Sequence, residues 1–369
     1  MPDRALSVVH LGLVEYEDGL RLMEGYRSAR AAGAVGDTLF LLEHPAVVTL
    51  GRGGKREHVR LSGAELVRRG ARLFETDRGG DVTYHGPGQL VAYPIVDLSP
   101  DRRDVRRYVS DLEESMIRTA ADFGVESGRL AGLHGVWLGA GAEPATPGPS
   151  RKLGAVGVHL SRWITSHGLA FNVDPDLDHF SWIVPCGIEG RGVTSLRAEA
   201  GSRIGVEAAA DRLALHLATA LDRVPGDVEL RDHFVQVQVV RSEMGGRGVL
   251  ALRRTASRGG FWQPVTGHVQ AGEMPGQAAR RELREETGLE VDVEPLGYEH
   301  AFLSPEHAPR IAVETAYRAL APEGFRVRLD SGEHDASAWL SPADALERFP
   351  FAGLRRGVEL AIRGTGAVG

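Results

Sequence analysis

Cysteine is nearly absent from this chain: Cys186 stands alone in 369 residues. No internal disulfide is possible, which suits a reducing compartment. A basic excess is lacking too. Lys and Arg number 43 against 50 Asp and Glu, a net charge of −7. That balance argues against a nucleic-acid coat or a membrane-surface protein, although a small acidic carrier protein could still dock on a local basic patch. No apolar run approaches the length that spans a bilayer, and the N-terminus shows no basic stretch followed by an apolar core. No internal repeat or charge block is visible. The expectation is a soluble cytoplasmic protein with no nucleic-acid or membrane partner.

What is present is ordinary globular composition, 42% hydrophobic and 25% charged. The length exceeds one ordinary core, so two domains are expected. Apolar runs at 6–13, 38–43, 47–50, 91–98, 135–139, 151–159 and 167–173 read as strands, and Tyr16 to about Ala32 reads as a helix. From Asp104 to Phe123 the apolar residues recur at steps of three and four, with Asp104 as N-cap and Gly124 as stop. The Gly/Ala/Pro-rich stretch 139–150 reads as a surface insertion. Val206, Ala210, Leu213, Leu217 and Leu221 mark a closing helix, and Pro225-Gly226-Asp227 reads as the start of a linker over 225–231. The second half opens on strands at 234–240 and 248–253. The fold class expected is α/β (α+β) in two domains, 1–224 and 232–369.

Chemistry-bearing residues gather first in Arg78-Gly79-Gly80-Asp81-Val82-Thr83-Tyr84-His85, followed by Gly88-Gln89 and Tyr93. Glycine lets backbone approach a ligand closely, and the polar side chains between are of the kind that orient a substrate. Lys152 lies in a glycine-punctuated apolar strand. It reads either as a snorkelling edge-strand lysine or as a functional group. Cys186, in a Pro/Gly turn, reads either as a buried small hydrophobe or as a nucleophile. The loop Gly51-Arg52-Gly53-Gly54-Lys55-Arg56 reads either as a receiver for a carboxylate or phosphate or as a flexible basic turn.

These segments together resemble the lipoate-protein octanoyltransferase family. The likeness runs through Thr49–Arg52, the Arg78–His85 signature, Lys-Leu-Gly-Ala-Val-Gly from Lys152, His-Gly-Leu-Ala-Phe-Asn from His167, and Pro-Cys-Gly around Cys186 with Val193-Thr194-Ser195-Leu196 behind it. It covers roughly 6–223 and implies a biotin/lipoate ligase-like transferase fold. It further implies that Cys186 takes an octanoyl thioester from acyl carrier protein and that Lys152 assists. A nearby ammonium favours the thiolate, the attacking species. A lysine amine of a lipoyl domain, on a 2-oxo acid dehydrogenase or the glycine cleavage H protein, then attacks. Residues 78–85 are implied to bind the acyl group or orient the parties. Backbone at Ala155, Val156 and Gly157, and at Gly168, Leu169 and Ala170, is implied to line the octanoyl tunnel. No cofactor is implied for this half. Gly154 stands where the family more often has Ala, and 139–150 is longer than typical.

A second pattern runs from Gly267 through five residues to Glu273, then seven to Arg281-Glu282-Leu283-Arg284-Glu285-Glu286-Thr287-Gly288-Leu289. On a helix stopped by Gly288, the glutamates 282, 285 and 286 share one face. Like charges so placed make sense beside a hard divalent cation. Arg281 lies four before Glu285 and can brace it, while Ala279 and Leu283 pack the other face. The pattern fills the Nudix box. It implies an α/β/α sandwich hydrolysing a nucleoside di- or triphosphate-type substrate, with Mg²⁺ or Mn²⁺ held by Glu282, Glu285 and Glu286, and with Gly267, Arg281 and Glu285 at the reaction. Phe261 to Gly267 resembles the branch acting on nucleoside triphosphates and dihydroneopterin triphosphate. Glu333-His334-Asp335 resembles a late acidic position of the family, or is an exposed loop. The rival reading is an ATP-dependent lipoate/biotin-type ligase whose Nudix half senses a nucleotide.

Overall fold

The computed structural model describes residues 4–139, 150–184, 191–227, 231–243, 246–303 and 311–363. Cys186 and residues 140–149 of the expected insertion lie outside these. The chain divides into two units, Met1–Tyr16 with Leu20–Glu229, and Glu17–Gly19 with Leu230–Gly369.

The first unit begins with β1 (Ala5–Leu13), α1 (Tyr16–Ala31), β2 (Asp37–Glu43), β3 (Val47–Leu50), α2 (Gly63–Arg68), β4 (Arg72–Glu75), β5 (Val82–His85) and β6 (Gln89–Ile95). It continues with α3 (Val105–Asp122), β7 (Gly128–Leu130), β8 (Leu133–Leu138), β9 (Arg151–Ser161), β10 (Ile164–Asn172), β11 (Gly192–Val193), α4 (Leu196–Ala200), α5 (Val206–Ala220) and β12 (Val224–Asp227). The main sheet runs β12-β1-β2-β6-β10-β9-β8-β7, with β11 also on β9. A small sheet, β4-β3-β5, carries the glycine-rich signature. The core lies where α3 and α5 cover the main sheet, through Tyr108, Leu112, Met116, Leu213 and Leu217. Asp104 caps α3, its carboxylate accepting from the N–H groups of Arg106 and Arg107, and Gly124 follows at φ +74°.

Two expectations need correction. Residues 225–227, read as linker, form β12, which pairs in parallel with β1. Pro225 is tolerated because β12 is an edge strand, where a missing N–H costs nothing. The strand expected at 91–98 ends at Ile95. There the Thr165 hydroxyl donates to Pro94 O (2.7 Å) and accepts from Val96 N (2.9 Å), replacing the ladder.

The second unit contains β13 (Arg231–Glu243), β14 (Gly246–Arg254), β15 (Trp262–Gln263), β16 (Val265–His268), α6 (Pro275–Thr287), β17 (Val293–Leu303), β18 (Ile311–Leu320), β19 (His334–Leu340), α7 (Pro342–Arg348) and α8 (Ala352–Arg363). Its sheet runs β15-β14-β13-β18-β17, with β16 on β13 and β19 on β14. Ala278, Ala279 and Leu283 of α6 pack one face with Val235 and Val237. Ala345, Phe349, Leu354 and Val358 of α7 and α8 pack the other with Val249 and Ala251. These are the three layers expected of an α/β/α sandwich. Gly288 ends α6 at φ +74°.

Gly168 sets the spacing of β10 against β6. A Cβ there would overlap the Ala92 carbonyl and lie 2.6 Å from Pro94 Cδ. Gly168→Ala is therefore expected to destabilise the first unit by about 1–3 kcal/mol, the usual cost of overpacking. Chemical denaturation of the full chain checks it, and an unchanged midpoint would contradict this strand spacing.

Candidate functional sites

In the first unit a cavity of about 470 Å³ opens between the signature and strands β6, β9 and β10. Residues 78–83 and His85 line it, as do Lys152, 155–157 and 168–170. Tyr84 does not, contrary to its expected place among the substrate-binding residues. Successive strand residues face opposite ways, so Thr83 and His85 face the cavity while Tyr84 turns into a second core. Its hydroxyl there meets His179 Nδ1 at 2.7 Å, and Phe180 and Trp182 surround it.

The signature's charged groups are tied to the framework. The Arg78 guanidinium donates to Thr49 O and Oγ1, both at 2.8 Å, and to Gly79 O at 3.1 Å. Asp81 accepts from the Lys55 N–H at 3.1 Å and meets His58 Nδ1 at 2.5 Å. The N–H groups of Gly51, Arg52 and Gly53 are spent on the carbonyls of Asp81, Arg78 and Gly80. The 51–56 loop thus braces the signature, and those three N–H groups are not available to an anion.

Tyr16 lines the cavity and His44 lies behind it, and sequence patterns singled out neither for the site. His44 is fully buried. Its Nδ1 stands 2.6 Å from Val14 O and must donate, so Nε2 accepts from the Tyr93 hydroxyl at 2.8 Å. Gln89 Nε2 donates to Tyr84 O and Asn172 Oδ1, so its Oε1 accepts from His85 Nδ1 at 2.7 Å. That leaves His85 Nε2 as an acceptor at the cavity. Tyr16 stacks on His85 with ring centroids 6.2 Å apart. His167, at φ +55°, holds Asp77 Oδ1 at 2.8 Å. Burial pushes His44 down to about 4, and burial with His44 beside it pushes His85 down to about 3.

Lys152 is buried, 7% exposed, so it is not a snorkelling edge-strand lysine. Its strand β9 is flanked there by Trp137 of β8 and Val193 of β11.

In the second unit, Gly267 of β16 lies against α6, where a Cβ would fall inside the Glu282 carboxylate. Arg281 gathers four acceptors: Glu273 (2.9 and 3.0 Å), Glu282 Oε1 (2.6 Å), Glu285 Oε2 (3.3 Å) and His268 O (2.8 Å). Glu286 is 3% exposed, and its Oε2 has no hydrogen-bond partner among the described residues. Burial, then Glu282 and Glu333, pushes its carboxyl well above the usual range, and burial raises Glu282 as well. Among the described residues no three acidic or imidazole groups are drawn together as a finished metal cage, because Arg281 holds Glu282 and Glu285 towards itself.

Arg254 of β14 acts electrostatically on Glu286, and His334 of β19 is the strand partner of Arg254. Arg254 Nε and both His334 ring nitrogens are buried without partners among the described residues. Glu333 pairs with Arg258 (3.2 Å) and Asp335 with Arg253 (2.6 Å).

The fold and sites define a two-part chain, a biotin/lipoate ligase-like unit followed by a Nudix sandwich. The family model for the lipoyl protein ligase A/B catalytic domain matches residues 15–218, and that for the NUDIX domain matches 232–358. An octanoyltransferase of Myxococcus xanthus is 48% identical over 96% of this chain and 99% of its own length. One from Chloroflexus aggregans is 48% identical over 60% of this chain and 97% of its own. Among solved structures, a bipartite lipoate protein ligase of Thermoplasma acidophilum aligns at TM-score 0.46 and 17% identity, over 62% of this chain and 88% of that one. The E. coli dihydroneopterin triphosphate pyrophosphohydrolase aligns at TM-score 0.32 and 24% identity, over 37% and 99%. The chain belongs to the octanoyltransferase family, in a form that carries a C-terminal Nudix domain.

The histidines give a sign-definite expectation. Both rings are neutral in the folded chain and take up protons near pH 6.5 once unfolded. Their contribution to stability is full above about pH 6.5 and is lost as pH falls towards 4 and 3. Side-chain NMR of histidine-labelled protein, assigned with His44→Gln and His85→Gln, should show both rings neutral at pH 5.5. Titration of either near 6.5 would contradict the buried, neutral pair.

Proposed function

We propose that the domain 1–224 transfers octanoyl from acyl carrier protein to a lysine of lipoyl domains, through a thioester on Cys186. The carrying observation is the cavity, which joins Lys152 to walls of small residues from β9 and β10. The Myxococcus xanthus octanoyltransferase aligns across both domains, which supports the same activity in a chain of this layout. Val193, seven residues after Cys186 in the sequence, pairs with Lys152 on β9. The Cys186 thiolate attacks the octanoyl carbonyl, and the carrier's sulfur leaves as a thiol, taking a proton from the Lys152 ammonium. The lipoyl lysine amine then attacks the enzyme thioester, Cys186 leaves as thiolate, and Lys152 takes the amine's proton. One thioester replaces another, so the first step needs no ATP. Residues 78–83 and His85 orient the acyl group and the attacking parties. The buried His44 and His85 rings, being neutral, add no charge beside the octanoyl chain.

Mass analysis of the intact protein after incubation with octanoyl-acyl carrier protein, without ATP, tests this. A hydroxylamine-labile octanoyl adduct is expected, and it should be missing from Cys186→Ser. No adduct, with lipoyl-domain modification only when ATP and free acid are supplied, would assign the domain to the ligases.

For the domain 232–369 we propose hydrolysis of a nucleoside di- or triphosphate-type substrate with Mg²⁺ or Mn²⁺. Burial and the carboxylates of Glu282 and Glu333 outweigh the Arg254 charge at Glu286, and its unpartnered oxygen suits a hard cation. Glu282, Glu285 and Glu286 would hold the ion. When bound, it polarises a phosphate oxygen and activates water. Arg281 orients Glu282 and Glu285, and Gly267 leaves room for the Glu282 carboxylate. Glu286→Gln should lower metal-dependent hydrolysis across a panel of nucleoside di- and triphosphates by about 100-fold or more, in line with loss of a charge-stabilising group. Octanoyl transfer should be unchanged in the same protein. Hydrolysis at the parent rate would remove Glu286 from the reaction.

A further inference from the structure

Lys152 does not occupy its place by sequence position alone. The β8–β9 ladder pairs Val136 with Gly154, then slips, so that Trp137 rather than Leu138 stands opposite Lys152. Leu153 is the extra residue of this bulge. Cross-strand partners project to the same face, and the Lys152 Nζ lies over the Trp137 ring, 4.6 Å from its centroid. Lys152 lines the cavity and Trp137 does not. The indole therefore sits behind the ammonium as a backing plate, 1% exposed.

The indole N–H is buried without a hydrogen-bond partner among the described residues. Leaving that donor unsatisfied is a cost, which a phenylalanine or leucine would avoid if the position needed only bulk. What the site retains at that cost is the face of the largest π system available, and that face carries the negative end of the ring quadrupole. A second cation uses it as well, since Arg191 Cζ stands 5.9 Å from the same ring. Arg191 follows Cys186 by five residues. Two cations that would otherwise repel are thus gathered at one indole.

We infer that Trp137 is a positioning residue, whose indole face fixes the Lys152 ammonium at the cavity wall through a cation–π contact. This rests on the reading of Lys152 given above. Trp137 does not line the cavity, and it acts through the lysine it holds.

Fluorination tests this, because it drains electron density from the ring face while keeping its shape. Trp137 is replaced site-specifically in the full chain by mono-, di-, tri- and tetrafluorotryptophan. Two readouts are followed. Thermal unfolding of each protein is measured with Lys152 present and in Lys152→Met, whose side chain is similar in length and uncharged. The single-turnover rate of octanoyl adduct formation is measured across the Lys152 series and in Lys152→Met with the natural tryptophan. The unfolding midpoint is expected to fall stepwise with each fluorine in the Lys152 series and to stay level in the Met series. The adduct rate is expected to fall in parallel, by about tenfold over the series, the size of a desolvated contact of this kind. Equal trends in both backgrounds, or none in either, would reduce Trp137 to packing. A stepwise midpoint with a constant adduct rate would overturn its role in the reaction. If Lys152→Met itself forms adduct at the parent rate, the reading of Lys152 fails. The stability comparison still decides whether the indole holds the ammonium.

Discussion

Gly168 approaches the Ala92 carbonyl so closely that no side chain fits between them, and the first cavity depends on that approach. Gly154 repeats it against Met116 Sδ, where a Cβ would stand 2.5 Å away, and Gly157 against Gly79 O at 2.9 Å. Because β6, β10 and β9 are held at backbone distance, the space between them and the signature is walled by small residues. A strand of valines and leucines would have filled it. The glycines are therefore not slack in the chain. They convert a sheet face, which would ordinarily be core, into a cavity of about 470 Å³ with a buried lysine at its edge.

The same cavity constrains its polar neighbours. His44, His85 and His167 are buried beside the cavity, and an unbalanced charge there would be costly. Hydrogen bonding resolves this by fixing tautomers. Val14 O commits the His44 proton to Nδ1, and Gln89 does the same for His85. Arg78 is solvated differently, its guanidinium donating to the Thr49 carbonyl and hydroxyl. The signature thus holds an arginine, an imidazole and two glycines for distinct reasons. Arg78 anchors the loop, His85 presents an acceptor, and glycine permits the approach.

Much of this was legible in the chain, and the limit has a physical basis. The Arg78–His85 and Nudix patterns were readable because their spacing is local: a four-residue strand or one helix face fixes which side chains meet. Even there, the pleat of β5 removed Tyr84 from the cavity, since alternation operates inside a motif as well as outside it. Asp104, Gly124 and Gly288 were readable as caps for the same local reason. What escaped was long-range. Tyr16 meets His85 across 69 residues of chain, His44 meets Tyr93 across 49, and nothing at either end announces the pairing. Pro225-Gly226-Asp227 carries turn residues yet forms an edge strand, because β1 offers a free side and an edge tolerates proline. Trp137 meets Lys152 only because a one-residue bulge shifts the register, and sequence periodicity does not reveal such a slip.

The carboxylates of α6 show how burial separates a functional face from a merely solvated one. A charge-rich helix face in water keeps its glutamates exposed and unstrained. Here Glu285 is exposed, Glu282 is half-buried beneath Arg281, and Glu286 is almost wholly buried, with one oxygen unpartnered among the described residues. Strand β16 places glycine where the Glu282 carboxylate must pass. For stability alone, a leucine at 286 would serve α6 better, since it would bury apolar surface and leave no carboxylate to desolvate. The nearby Arg254 and His334 also carry unsatisfied buried nitrogens. Several uncompensated polar groups at the end of one sheet are hard to account for as scaffold. They make sense if a charged ligand and its ion complete the hydrogen bonding that the protein leaves open.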